Sequence, residues 1–214
     1  MPSGSLVIVG AGGHADVVRA AAEASGWRIA AHVDETVACD AIHRGVQMLG
    51  GVNALDRAIE LSENVHVAIG NNAVRERLAS EVTRRGARLT TIVHPSAFVD
   101  PSATVEAGTA VLAVAAINPL ATIGTAVIVN TGAIVEHHCH LDDAVHVAPG
   151  AVMGGHCRIG AQALIGLGAR LRDRIAVGAN ALVGTGAVVV SDVGEDATVI
   201  GVPARAIRHP GQTP

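Results

Sequence analysis

An aliphatic residue stands at every sixth position from Val93 to Val189, a series of seventeen without a gap. It opens with Val93, Val99, Val105 and Val111 and closes with Leu171, Val177, Val183 and Val189. Helices and flat sheets repeat near 3.6 and 2 residues, so neither produces a period of six. A parallel β-helix does. If three hexapeptides make one triangular coil, each aliphatic residue points into a narrow prism and stacks on its equivalent in the next coil, about 4.8 Å away. The residue four places after each is small or short-branched, as at Ala97, Ala103, Thr109 and Cys139, and fits where the coil turns its corner.

Composition agrees with so thin an interior. Half of the 214 residues are hydrophobic, yet the chain has no Tyr, and Phe98 and Trp27 stand alone as its Phe and Trp. The net charge of −4 and the lack of a basic run exclude nucleic acid as the main partner, because phosphate neutralisation needs clustered Lys and Arg. No apolar stretch has the roughly 20 residues of a membrane helix, and the first five residues lack the basic and apolar regions of a signal peptide. A cytoplasmic protein is expected. The three cysteines, Cys39, Cys139 and Cys157, do not make a disulfide framework; the latter two share corner positions one coil apart and read as buried thiols.

Ahead of His94 the pattern changes. Residues 6–9 form an apolar run ending in Gly10, residues 14–24 an Ala-rich helix, and residues 29–33 a second strand. Two more helices, over 52–61 and 72–85, flank a strand at 65–69 and complete a small parallel α/β unit, half of a dinucleotide-binding fold. Two domains are therefore expected: residues 1–92, an α/β nucleotide-sugar-binding unit, and 93–214, a β-helix whose hexad runs to Val193 and whose tail, from a Gly201-Val202-Pro203-Ala204 turn into 205–208, forms a short cap. Because the ends of a β-helix expose unpaired backbone, the α/β unit is expected to cover one end and the tail the other.

Gly10-Ala11-Gly12-Gly13-His14-Ala15 follows a strand and opens a helix, the context in which glycines let a phosphate approach free N–H groups. Asp34 and Glu35 end the next strand, where a carboxylate meets a ribose hydroxyl. With only one mononucleotide-binding half present, a nucleotide diphosphate suits the turn better than a dinucleotide. Gly70-Asn71-Asn72 ends the third strand on the same sheet edge, with Asn72 a suitable helix N-cap. In the β-helix, Glu136-His137-His138 follows the inward Val135 and faces outward; an imidazole titrating near neutral pH is a candidate general base. His146 lies half a coil on, and Gly155, one coil beyond His137, offers bare backbone. His138 and His156 stack one coil apart and, with His140, raise a metal site, although their spacing is not that of a structural zinc site.

Together these motifs, with Arg75, Asn130-Thr131 and the Gly201 to Ala204 turn, resemble the bacterial acetyltransferases that modify nucleotide-linked amino sugars, over nearly the whole chain. Bacillosamine, perosamine and viosamine N-acetyltransferases are in this group, as are sialic acid O-acetyltransferases. The resemblance implies a left-handed β-helix, a homotrimer, and acetyl-CoA in a groove between subunits. It implies the nucleotide sugar at Gly12, Gly13, His14, Asp34, Glu35 and Gly70, His137 as base, and Asn130 near the acceptor amine. It puts the acetyl donor at His146, Gly155, Arg158, Gly166, Leu167, Gly184 and Thr185. Where the bacillosamine-type enzymes carry a glutamate after the catalytic histidine, this chain has His138, which leaves Glu136 or a neighbouring subunit to support the base. The expected function is acetyl transfer to the 4-amino group of a nucleotide-diphospho-4-amino-4,6-dideoxysugar. Its rivals are O-acetylation of the sialic acid type and a non-catalytic or metal-binding β-helix.

Overall fold

The computed structural model describes residues 4–34, 36–37, 40–51 and 53–207. Glu35, Cys39, Val52 and Arg208, which the sequence reading used, lie outside them. The N-terminal unit runs β1 (Gly4–Val9), α1 (Gly13–Ala24), β2 (Trp27–Asp34), β3 (Ala41–His43), β4 (Val46–Gly50), α2 (Ala54–Leu61), β5 (Asn64–Val67), α3 (Asn72–Arg84) and β6 (Arg88–Leu89). Its sheet has the order β3-β4-β2-β1-β5-β6 and is parallel except for the β3–β4 pair. β1 is central and buried on both faces, so it reads as an unbroken apolar run. Val7 and Val9 face Leu55, Ala58, Leu78 and Val82 of α2 and α3. Leu6 and Ile8 face Ala15, Val18 and Ala22 of α1. The β3–β4 hairpin has no counterpart in the periodicity; it turns at Arg44 and Gly45, both at positive φ, the conformation that two-residue hairpin loops need.

From Ile92–Val93 onward the chain is a left-handed parallel β-helix of short strands in three sheets, of eight, six and five strands, here the first, second and third. Paired residues are eighteen apart, as in Val111 with Val129, Ile117 with Val135 and Ile123 with Leu141. The inward residues from Val111 to Val189 are almost wholly buried and form one continuous core with the small residues beside the corners. Val93 is 37% exposed, and Val99 and Val105 are half-buried, because the first coil has a neighbour on one side only.

Each corner places one residue in the left-handed region, at every sixth position from Gly108 to Gly186. Five of these are glycine, but Val114, Leu120, Ala126, His138, Ala144, His156, Gln162, Arg174 and Asn180 hold the same conformation with a side chain attached. That conformation costs roughly 1–2 kcal/mol for a non-glycine residue, and the register imposes it.

Two expectations change. The α/β unit does not cover an end of the prism: Leu6, Ile8, Ala15 and Val18 pack on Ile92, Ala110 and Leu112, the outer face of the first sheet. That sheet offers a broad apolar face, whereas an end offers only the rim of one coil. Nor does the hexad hold to Val193. Val193 pairs with Val177, and Val199 with Val183, so the last coil is two residues short and Val193 points inward instead of filling a corner. The tail closes the edge of the first sheet as an antiparallel hairpin, Thr198–Ile200 against Arg205–Ile207. Leu141 sits at mid-prism with no exposure; Leu141→Ala should cost about 2–5 kcal/mol, read as a lower urea midpoint, because adjacent coils cannot close on the cavity.

Candidate functional site

The α/β unit is locked onto the β-helix by Arg75 of α3, which is 1% exposed and faces no carboxylate in its hydrogen bonds. Its Nε donates to the Ala126 carbonyl at 2.7 Å and its Nη2 to the Ala144 carbonyl at 2.7 Å, at left-handed corners of consecutive coils. Nη1 donates to Ile69 at 3.0 Å, and Nη2 also to Asn72 Oδ1 at 2.8 Å. Burial pushes the guanidinium down to about 10. Asn72 is thus not the helix cap: Asn71 Oδ1 accepts the Val74 N–H at 3.0 Å, and Asn72 Nδ2 reaches the Gln162 carbonyl at 2.7 Å.

Around this cation lie three neutral histidines. Burial, with His66 and Arg75 nearby, pushes His14 down to about 4. Burial pushes His66 down to about 4 as well, against its hydrogen bond to the Thr90 carbonyl. Burial, with Arg75 and His14 nearby, holds His146 at about 3, against a hydrogen bond to the Gly70 backbone. The His14 and His146 rings lie 6.2 Å apart, and Asn130 Nδ2 donates to His146 Nε2 at 3.1 Å. Asn130 Oδ1 accepts the Thr131 N–H at 2.8 Å, which fixes the amide.

The glycine turn opens beside them. Gly10 adopts a φ of 121°, and a Cβ there would meet the Ala68 carbonyl at 2.8 Å, so its glycine is structural. Gly12, Gly13 and Gly70 face open space, and Gly12, the N-cap of α1, has no side chain to cap the first N–H groups of the helix. A cavity of about 160 Å³ adjoins, lined by Val9, Val33, Leu55, Ile69 and, at its polar side, Asp34. Asp34 is partly engaged, its Oδ1 accepting Thr36 N–H at 3.0 Å.

His137 belongs to a second cluster, on the edge between the second and third sheets. Its Nδ1 lies 3.1 Å from His138 Nδ1, and its ring stands at 88° to that of His156, with centroids 5.2 Å apart. His138 and His156 stack at 4.6 Å. Glu136 turns back on the backbone, accepting the His137 N–H at 3.3 Å, so His138 and not the carboxylate touches the ring. A Cβ on Gly155 would lie 2.5 Å from His137 Cε1: this glycine seats the His137 ring, a finer reason than the open approach expected for a ligand. His140 is engaged with Thr122 and Asp142 and stands outside the cluster. Arg158 lines a cleft with His138, His156 and Arg174.

Asn130, Gly166 and Gly184 occupy equivalent positions on the remaining edge, between the first and second sheets, with Leu167 and Thr185 exposed beside the last two. Gly166 and Gly184 have packing reasons of their own, since a Cβ would strike Val183 O at 2.5 Å or Ile200 Cγ2 at 2.6 Å. Within one chain, then, the glycine turn, His14, His146 and Asn130 gather at the first sheet, and His137 stands on an edge that the first sheet does not reach. Cys139 and Cys157 are buried fillers whose Sγ atoms donate to Gly154 and Arg172 carbonyls. Hydrogen bonding with Cys157 and burial push the Cys139 thiol up, away from nucleophilic use.

Known proteins share this fold. Residues 5–82 match the family model described as the PglD N-terminal domain. A crystal structure of a perosamine N-acetyltransferase variant from Caulobacter crescentus, in complex with CoA and GDP-perosamine, is 39% identical with a TM-score of 0.92 over 96% of this chain and 97% of that one. The chain belongs to the bacterial nucleotide-sugar N-acetyltransferases. The acetyltransferase domain of PglB from Neisseria gonorrhoeae, another relative, is 36% identical with a TM-score of 0.87, over 95% of this chain and 99% of that domain. The UDP-N-acetylbacillosamine N-acetyltransferase of Bacillus subtilis is 35% identical over 113 residues, a match spanning 51% of each chain. No helix among the described residues of this acetyltransferase is long and apolar enough to cross a membrane.

The sequence singles out Arg75 and His156 but does not show what either one touches. Arg75 looks like an ordinary helix charge until its five donors are traced, and His156 joins His137 only through the eighteen-residue register that brings Gly155 beneath the ring. Because His14, His66 and His146 titrate well below their unfolded value near 6.5, the unfolded chain binds more protons between that value and about 4. Stability should be full above pH 6.5 and fall as pH drops towards 4, by on the order of 1 kcal/mol for each buried histidine, and urea midpoints at pH 7 and pH 5 measure it.

Proposed function

We propose that this protein transfers the acetyl group of acetyl-CoA to the 4-amino group of a nucleotide-diphospho-4-amino-4,6-dideoxysugar, with His137 as general base. The observation that carries this reading is the exposed His137 ring, seated on Gly155 and oriented by His138 in a fold shared along its length with an enzyme held in complex with CoA and GDP-perosamine. The sugar's diphosphate binds the open N–H groups of Gly12 and Gly13, and its nucleoside enters the cavity beside Asp34, with Gly70 at the rim. Glu35, beyond the described residues, keeps the ribose-facing role its position implies.

His138 takes over the orienting role of the acid that the resemblance assigns to the bacillosamine-type enzymes, without its charge. When its Nδ1 accepts the His137 Nδ1–H, the lone pair of His137 is left on Nε2. The neutral amine attacks the thioester carbon, His137 Nε2 removes the proton that the attack makes acidic, and the same proton passes to the departing CoA sulfur. An N–H group of the coil aimed at the tetrahedral oxyanion contributes roughly 3 kcal/mol. Direct transfer is favoured because Cys139 is buried and hydrogen-bonded to the Gly154 carbonyl, and among the described residues no exposed thiol stands beside His137 to form an acetyl-enzyme.

The placement of the two clusters on separate faces calls for a second copy of the chain. We assign the active site to the seam of a homotrimer, where the His137 edge of one subunit meets the Asn130 and His146 face of its neighbour. Arg158, Leu167, Thr185 and the backbone at Gly166 and Gly184 then line the donor groove. The reading places the enzyme in the cytoplasm, where CoA thioesters and nucleotide sugars are both supplied.

With acetyl-CoA and GDP-perosamine as substrates, His137→Ala should lower kcat by at least ~10²-fold while the trimer persists; a fall under threefold rejects the base. The 4-hydroxy sugar nucleotide in the same CoA-release assay separates amine from hydroxyl acceptors. Gly13→Asp should raise KM for the sugar nucleotide by like-charge repulsion and leave that for acetyl-CoA nearly unchanged. Co-expressing the two variants should restore about a quarter of the wild-type activity, the share of seams with both halves intact in random trimers. No recovery would place the whole site within one chain.

A further inference from the structure

We propose that His137, His138 and His156 form a binding site for a zinc-class divalent ion, and that an ion held there switches acetyl transfer off. One ring nitrogen from each of the three lies within 4.8 Å of the others. The His137 and His138 Nδ1 atoms are already 3.1 Å apart. Two nitrogens bound to one tetrahedral zinc at about 2.0–2.1 Å are separated by about 3.3 Å, so this pair needs almost no movement to chelate. The third imidazole closes the remaining gap by rotating an exposed side chain, with no change in the coil.

The backbone holds this geometry ready. His138 and His156 sit at left-handed corners of consecutive coils, at φ of 59° and 62°, and the His156 N–H donates to the His137 carbonyl at 2.9 Å. On the edge between the first and second sheets the same corner positions are glycine at 132, 150, 168 and 186. The register imposes the left-handed conformation at these corners, as it does at Leu120 and Arg174 of the same file, and so fixes where the two histidine side chains leave the backbone. Nitrogen donors of this kind select zinc, nickel or copper over magnesium or calcium.

The charges around the triad set the strength. Arg158 and Arg174 line the same cleft, of about 280 Å³, and oppose a cation; Asp173 and Glu136 are the acids on the flanking corners. Three ligands with two opposing guanidinium groups suit reversible binding in the micromolar range, and the fourth position faces the cleft, where water fills it. The inhibitory half of the proposal rests on His137 being the base. A neutral imidazole that binds an ion through Nδ1 carries its proton on Nε2, and one that binds through Nε2 has no lone pair left there. Either way it accepts no proton from the amine.

The test is titration of the chelator-treated, tag-free full-length protein with ZnCl2 against a chromophoric zinc indicator, with the visible absorption of added Co2+ as a second reading. Binding of about one ion per chain is expected, weakened at least tenfold in His156→Gln and in His138→Gln, each checked for unchanged circular dichroism and oligomeric state. The Co2+ spectrum should show the intense bands of nitrogen-rich four-coordination, and zinc should inhibit acetyl transfer reversibly on addition of chelator. Zinc bound with unchanged affinity in both variants, or no binding at 100-fold excess over protein, overturns the site. Zinc bound at the triad without loss of activity upholds the site and removes His137 from the role of base.

Discussion

The His137 cluster descends from the strand pairing that sets each residue of the β-helix beside the one eighteen positions on. Because the coils stack with so little freedom, residues of equal phase form files along the prism. An inward file must be aliphatic and a corner file must follow a left-handed turn. Outward files are free to carry chemistry, and their mutual placement is as fixed as the core. This is why Gly155 can seat the His137 ring: the glycine is the next member of the same file, and its missing side chain is space of defined position.

The second constraint is the buried guanidinium of Arg75. A charge without a carboxylate partner is tolerated because all its donors find carbonyls, two of them at the corners of successive coils. That arrangement joins the α/β unit to the β-helix and also sets the electrostatics beside the glycine turn. Burial, with this fixed positive charge beside them, keeps His14, His66 and His146 neutral, so the field beside the glycine turn comes from N–H dipoles and a cation whose charge does not vary with pH near neutrality.

In the proposed function, His138 is the neighbour that holds the His137 ring. A carboxylate would raise the proton affinity of His137; a neutral imidazole orients the ring and selects its tautomer without adding charge. The same residue brings a third nitrogen-bearing ring into the file with His156, and a metal-binding geometry arises from residues that serve catalysis in the proposed function.

Sequence alone determined the prism, because a six-residue aliphatic period has one economical solution, and with it the order of the domains, the phase of each outward residue and the glycine turn opening α1. Hidden in it were the hairpin at Arg44 and Gly45, the shortened final coil and the packing of the α/β unit on a side face. These depend on which surfaces meet, and no local pattern encodes that. Tertiary structure decided that Arg75 is a tether, that Asn71 and not Asn72 caps α3, and that Glu136 turns away from the ring it was expected to support. It decided as well that the glycine turn and His137 lie on separate faces of one chain. Phase along a repeat is a one-dimensional property that a sequence carries outright, whereas the meeting of two files across space depends on how far each side chain reaches and on what already occupies the gap.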